Sequence, residues 1–160
     1  MVAASRGRST LTLGRMVDVA TIQRAWSWTG IDPIELVREN DFGNLTVKDS
    51  AGRYWRICPE ELRCSVIADS EAEFDRLLAS AEFRHDWEMV ALCEEGRTRF
   101  GPLLPGRKYC LKIPAALGGG YDRNNLDTIS LAELIGASGD MAKQIATLPD
   151  GTSVRLVVTK

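Results

Sequence analysis

The chain has one histidine, His85, in 160 residues. A lone imidazole leaves no second His for a zinc site. Its sequence neighbour Asp86 is no ready partner either, because adjacent residues on a helix do not face each other. The four cysteines, Cys58, Cys64, Cys93 and Cys110, contain no C-x-x-C pair. They sit mostly among apolar neighbours and read as reduced core thiols rather than metal ligands or disulfides. No apolar run approaches the roughly 20 residues needed to span a bilayer. No G-x-S-x-G elbow is present, and there are no repeats or low-complexity linkers. The first fifteen residues, "MVAASRGRSTLTLGR", contain no acid and lack the apolar centre of a secretory signal. Residues 1–15 are read as a disordered basic tail or an upstream start, with Met16 as the alternative initiator.

What is present suits a single folded unit over residues 16–160. A chain of this size buries roughly 70% of its unfolded surface, enough for one core. Asp18 caps a short helix with Val19, Ile22 and Trp26 on one side. Asp32-Pro33 has the form of an N-cap followed by a first-turn proline, which predicts a second helix through Ile34 and Val37 to Asn40. In "LTVKDSAGRYWRI", Leu45 and Val47 alternate with polar residues, as do Trp55 and Ile57, around Asp49-Ser50-Ala51-Gly52. That is a β-hairpin, with a third strand at Ser65–Ala68. Ser70 and Glu73 form a capping box ahead of Phe74, Leu77, Leu78 and Ala81. The helical period continues through Phe83, Trp87, Val90 and Ala91 to about Gly96. Lys108–Ile113 reads as a strand. Ser130 and Glu133 form a second capping box, and the helix behind them is expected to break near Gly139. Asp150-Gly151 turns the chain into a last strand, Val154–Val158. The expected class is α+β: a mainly antiparallel sheet packed against several helices.

The stretch "IPAALGGGYDRNN" invites a phosphate-loop reading. A Walker loop needs Lys and a hydroxyl after its last glycine, but Gly120 is followed by Tyr121-Asp122-Arg123. A dinucleotide fingerprint needs G-x-G-x-x-G between strand and helix, and Gly118-Gly119-Gly120 has the wrong spacing. The better reading is a bend. Pro114 ends a strand, the glycines take conformations other residues resist, Asn124 and Asn125 bond to nearby backbone, and Tyr121 lies over the corner.

Charge is distributed unevenly. The whole chain carries −2; the first fifteen residues carry +3, so the remainder is −5. That balance argues against nucleic acid as a partner. Residues 60–95 hold eleven acids against Arg63, Arg76 and Arg84, a local −8. A solvated helix face accounts for such a run. So does an acidic surface that attracts a basic partner. Glu60-Glu61, after Pro59, read as a helix start rather than an acid/base pair.

Three segments in order carry a family resemblance: "NDFGNLTVKDSAGRYWRICPEE", "YCLKIPAALGGGYDRNNL" and "SGDMAKQIATLPDGTSV". From about Asp41 onward the chain resembles the C-terminal domain of Tdi-type immunity proteins, which protect bacteria against DNase effectors of the type VI secretion system. The pieces that carry it are Asp41-Phe42-Gly43-Asn44, Tyr54-Trp55-Arg56, Ile113-Pro114 with Gly118-Gly119 and Tyr121, and Leu148-Pro149-Asp150-Gly151. The resemblance implies a cytoplasmic, non-enzymatic binder that occludes a cognate effector, with no cofactor and no membrane. A homodimer is left open. The expected partner-binding residues are Trp28, which falls off the Val19/Ile22/Trp26 stripe, and the acids Asp69, Glu71, Glu73, Asp75, Glu82 and Asp86, facing a basic effector. No catalytic or metal-binding residue is expected. Two alternatives remain: a small ligand-binding domain or hydrolase using Gly118–Gly120, and a regulatory scaffold.

Overall fold

The computed structural model describes residues 17–157. The expectations placed on residues 1–15 and on Met16 lie outside them. Four strands form an antiparallel sheet in sequence order: β1 (Pro33–Glu39), β2 (Leu45–Asp49), β3 (Tyr54–Cys58) and β4 (Arg63–Ala68). Two further strands, β5 (Arg107–Leu111) and β6 (Leu126–Ser130), pair as a separate antiparallel ribbon. The helices are α1 (Val19–Trp26), α2 (Glu71–Ala79), α3 (Ala81–Glu88), α4 (Val90–Phe100) and α5 (Leu131–Ile145). The class is α+β, as the sequence predicts.

The expected hairpin forms, with Val47 opposite Trp55 and Leu45 opposite Ile57. These four side chains point to one face of the sheet. There they join Ile22 and Trp26 of α1 and Leu131, Ile135 and Ala142 of α5 in the main core. Tyr54, one residue out of phase with Trp55, points to the other face and packs with Phe74 of α2 and Ala68. The Tyr54 and Phe74 rings stack at 4.2 Å. The sheet is therefore covered on both sides, by α1 and α5 on one and by α2 on the other. Double covering explains why Thr46 and Tyr54 are buried although the alternation marks them as outward.

The turn at Asp49 is held by its own carboxylate. Asp49 accepts from the Ala51 and Arg53 amides, from Arg53 Nε at 2.8 Å and from Trp55 Nε1 at 2.8 Å. Those donors outweigh burial and hold its carboxyl below the usual range. Both serine caps form: Ser70 and Ser130 accept from the amides of Glu73 and Glu133, and each Glu reaches back, Glu73 to accept from the Asp69 amide and Glu133 from the Ser130 hydroxyl.

Four expectations are corrected. The helix expected from Asp32-Pro33 is strand β1. Its register shifts between Pro33 and Glu35 and again between Leu36 and Arg38, so its buried positions, Pro33 and Leu36, fall three apart and imitate a helical period. The single helix expected from Phe83 to Gly96 is two helices. Met89 takes a left-handed conformation (φ 47°) between them, where Asn40 Nδ2 donates to the Trp87 carbonyl. The break expected near Gly139 is absent, and α5 is continuous. No strand forms at residues 154–157, which are irregular and exposed, and residue 158 lies outside the described chain. The partner of β5 is instead β6, which the sequence reading left unassigned.

The two glycines of α5 do different work. A Cβ on Gly136 would meet nothing within 4 Å, whereas one on Gly139 would lie 2.4 Å from the Ala25 carbonyl oxygen of α1. Gly139 therefore permits the close crossing of α1 and α5. Gly136→Ala should stabilise by about 0.5–1 kcal/mol through helix propensity alone. Gly139→Ala should destabilise by about 1–3 kcal/mol, as overpacking does. Urea midpoints at unchanged m-value check both signs.

Candidate interaction surface

The expected site residues do not share one face. Trp28 sits in the turn after α1, where its ring stacks on Trp26 at 6.1 Å and its Nε1 donates to the Ala25 carbonyl. It is 37% exposed and belongs to the side of the sheet that carries α1 and α5. Asp69, Glu71, Glu73 and Asp75 lie at and along α2, on the opposite side. Glu82 and Asp86 follow on α3, whose Trp87 lies against Arg38 and Arg56 of that same side. The other tryptophans the sequence offers, Trp26, Trp55 and Trp87, are buried core residues.

The acids differ in what holds them. Glu73 serves the capping box, its Oε2 accepting from the Asp69 amide at 2.8 Å. Glu71 and Glu82 stand in the first turns of α2 and α3, where the helix dipole favours negative charge. Asp86 pairs with Arg56 across the helix–sheet junction. Glu71, Asp75 and Glu82 are exposed and make no ion pair among the described residues. Glu71 and Asp75, four apart, are like charges on one helix face, a modest local cost that nothing in the fold requires. Glu88, Glu94 and Glu95 extend the exposed acidic run along the end of α3 and onto α4.

The glycine stretch is an architectural corner. The amides of Gly118 and Gly119 donate to the carbonyls of Ala115 and Pro114, so they are spent within the bend. Asn125 closes it: its Oδ1 accepts from the Ile113 amide, and its Nδ2 donates to the carbonyls of Ile113 and Gly120. A Cβ on Gly119 would lie 1.8 Å from the Ile113 carbonyl oxygen, so only glycine fits there. The Tyr121 hydroxyl donates to Glu61 Oε1 at 2.9 Å.

Glu60 is what sequence reasoning missed. It lies in the one-turn helix Pro59–Glu61 and is only 6% exposed. Asn44 Nδ2 donates to both of its oxygens at 3.1 and 2.9 Å, and the Cys58 thiol donates to Oε1 at 3.1 Å. Asn44 in turn accepts from Arg56 Nε at 2.9 Å. Burial pushes the Glu60 carboxyl above its ordinary value, against the pull of these donors and of Arg56. The sequence signal was faint: an acid directly after Pro59, at the end of a strand whose residues are all needed for packing.

All four cysteines are free thiols, three buried and Cys64 half-buried. Burial raises each of them, Cys64 and Cys93 to about 11 and Cys110 to about 12, so none is an activated nucleophile. Among the described residues no helix is long and apolar enough to cross a membrane.

Fold and surface define an α+β domain with an exposed acidic run along α2, α3 and α4. Residues 68–142 of this chain match the model of the family described as T6SS immunity protein Tdi1, C-terminal. The resemblance read from the sequence is thus borne out over the segment from the end of β4 to most of α5. That family is one of type VI secretion immunity proteins, a class that implies binding of a cognate effector protein. No curated protein matches the chain.

The raised Glu60 carboxyl carries a sign that can be measured. A carboxyl titrating higher in the folded than in the unfolded state stabilises the fold below the unfolded value, and that contribution is lost as pH rises through the folded value. Glu60→Gln should therefore flatten the decline in stability as pH rises from the acid side. Urea midpoints of wild type and variant across that range check it, and parallel profiles would remove Glu60 as the source.

Proposed function

We propose that this protein is a type VI secretion immunity protein. It binds a basic effector, a nuclease in the reading favoured here, through the acidic surface of α2, α3 and α4, and covers its active cleft. The observation that carries this reading is one of coincidence. The family match spans 68–142, and that segment contains α2, α3 and α4 with the unpaired carboxylates of Glu71, Asp75 and Glu82. A nuclease cleft is built to hold a polyanion, so a rigid array of carboxylates offers it a competing ligand. Protection then needs no chemistry from the immunity protein, only tight and fast occupation. Four free thiols support action in the reducing cytoplasm.

Trp28 stands apart from this surface. A single partner would have to wrap around an edge of the sheet to touch both. The acidic helices are therefore the primary contact in this reading, and Trp28 is reached only by a second segment of the effector.

The test uses a candidate type VI effector from a coding sequence that neighbours this gene. Co-expression should restore growth, and the purified pair should associate. Reversing Glu71, Asp75 and Glu82 to Lys, while leaving the capping residue Glu73 intact, should lower the association rate by about tenfold or more at low salt. Dissociation should change less, and the two proteins should converge at high salt. An association rate that the reversal leaves unchanged at low salt would remove the acidic surface from the mechanism. A neighbouring toxin that neither binds nor is neutralised would remove the immunity reading itself.

A further inference from the structure

Beside the acidic helices lies a cleft that the folding of the domain does not explain. Its walls are Arg56 and Cys58 of β3, Glu60 and Glu61 of the turn after it, Arg63 of β4, Asp86 of α3, Met89 and Leu92 at the start of α4, and Tyr121 of the glycine corner. Its volume is about 240 Å³. That lies below the roughly 300–1,000 Å³ of metabolite-sized pockets, yet it equals the share of several waters at about 30 Å³ each. It fits one side chain.

The charges of the cleft do not balance. Arg56 is committed to Asp86 and to Asn44, with its guanidinium also 5.4 Å from the Trp87 ring centre. Arg63 is committed to Glu61 at 3.3 Å. Each wall cation therefore already has its carboxylate. The remaining acid is Glu60, whose direct hydrogen-bond donors, Asn44 and Cys58, are both neutral. Arg56 attracts Glu60 electrostatically but is itself paired with Asp86, so two wall cations serve three wall carboxylates, and a further cation brought to the buried one is favoured. The other titratable wall groups agree. Burial raises both the Cys58 thiol and the Tyr121 hydroxyl, and the carboxylates of Glu60 and Glu61 push both further the same way.

We infer that this cleft is the receptor for a single basic side chain of the effector, an arginine or lysine that enters between Tyr121 and Asp86 and is held at depth by Glu60. The inference rests on the immunity reading for the identity of its occupant and deepens it. The exposed acids bring the partner in, and the cleft anchors it. Asp86 belongs to both, since it lies on the acidic face of α3 and on the rim of the cleft. Met89 and Leu92 supply an apolar wall for the methylenes of the incoming side chain, as long cationic side chains prefer.

The experiment needs no effector, so it can fail separately from the immunity reading. N-acetyl-arginine amide and its neutral counterpart, N-acetyl-citrulline amide, are titrated into the full chain. The side-chain signals of Asn44 Nδ2 and Arg56 Nε are followed by NMR. The arginine compound should shift both signals saturably and the citrulline compound should not. Glu60→Gln should abolish the response. Tyr121→Arg provides the second variant: Tyr121 is exposed at the rim, so the change leaves the core intact and places a guanidinium of this chain at the cleft. It should abolish the response while retaining the thermal midpoint, even if Glu60→Gln fails to fold. Equal shifts from both compounds, no saturable shift from arginine, or an undiminished response in a folded Tyr121→Arg protein would overturn the inference.

Discussion

The structure turns on the burial of two amide side chains, Asn40 and Asn44, at the ends of the loop that joins β1 to β2. A five-residue connection with its backbone inside the protein leaves polar groups that water cannot reach, and each must find a partner. Asn40 Oδ1 accepts from the amides of Phe42 and Asn44 at 3.0 and 2.9 Å. That shapes the loop from within. Its Nδ2 then reaches out to the Trp87 carbonyl at 2.7 Å. The Asp41 carbonyl accepts from the Tyr109 amide of β5. Phe42 sits in the second core, with Cys93, Tyr109, Leu111 and Leu126. Gly43 turns with a positive φ and leaves no room for a Cβ beside Leu134 of α5. One short loop thus meets the sheet, the β5–β6 ribbon, the α3–α4 junction and α5.

That loop also decides where the charges go. By taking the Trp87 carbonyl, Asn40 ends α3 there, and the chain changes direction through Met89. Trp87 is left against the sheet, with the guanidinium carbons of Arg38 and Arg56 at 5.0 and 5.4 Å from its ring centre. Two cations close to one indole gain quadrupole attraction that either would forgo in water. Both come from the sheet face that α3 covers, so these two sheet arginines are drawn in toward the ring, while the acids of α2 and α3 and the helices' own Arg76 and Arg84 face solvent. Apart from the buried Glu60 and the half-buried Glu73, the acids of residues 60–95 are exposed, as are Arg63, Arg76 and Arg84, which offset them in part. Arg38 and Arg56 of the sheet are the cations held beneath α3 by an aromatic ring.

Legibility in the sequence followed how local the cause was. The hairpin, both capping boxes and the amphipathic stripe of α2 depend on residues within a few positions of one another, and they were readable. So was the glycine corner, because Pro114, the glycines and Asn125 are close in sequence. What failed was whatever a distant partner decides. Two register shifts gave β1 the apolar spacing of a helix. The Asn40 amide, 47 residues away in sequence, broke a helix whose periodicity runs on without interruption. A close crossing with Ala25 explains Gly139, which looks like a helix breaker when read along the chain alone. Glu60 was invisible for the same reason, since its burial is made by Asn44 and by the packing of its turn against α5, and neither lies near it in sequence. Among the expected partner-binding residues, the acids of α2 and α3 do come together, and Trp28 does not join them.

An acidic surface and a buried acid do different work in recognition, and the distinction bears on how an immunity protein would reach both speed and permanence. Exposed carboxylates act over about a Debye length, near 8 Å at physiological ionic strength, and govern encounter. Their direct contribution to a finished contact is small, because solvent screens them. A carboxylate at 6% exposure has the opposite character: it is felt only at close range, but there the medium screens it little. Placing Glu60 behind a rim shared with Asp86 joins the two regimes along one path, from the helices into the cleft. The strain of that arrangement falls on Glu60 itself, whose proton burial holds on more tightly than usual. A partner's cation would reverse that bias, so the same group that weakens the free protein as pH rises would strengthen the complex.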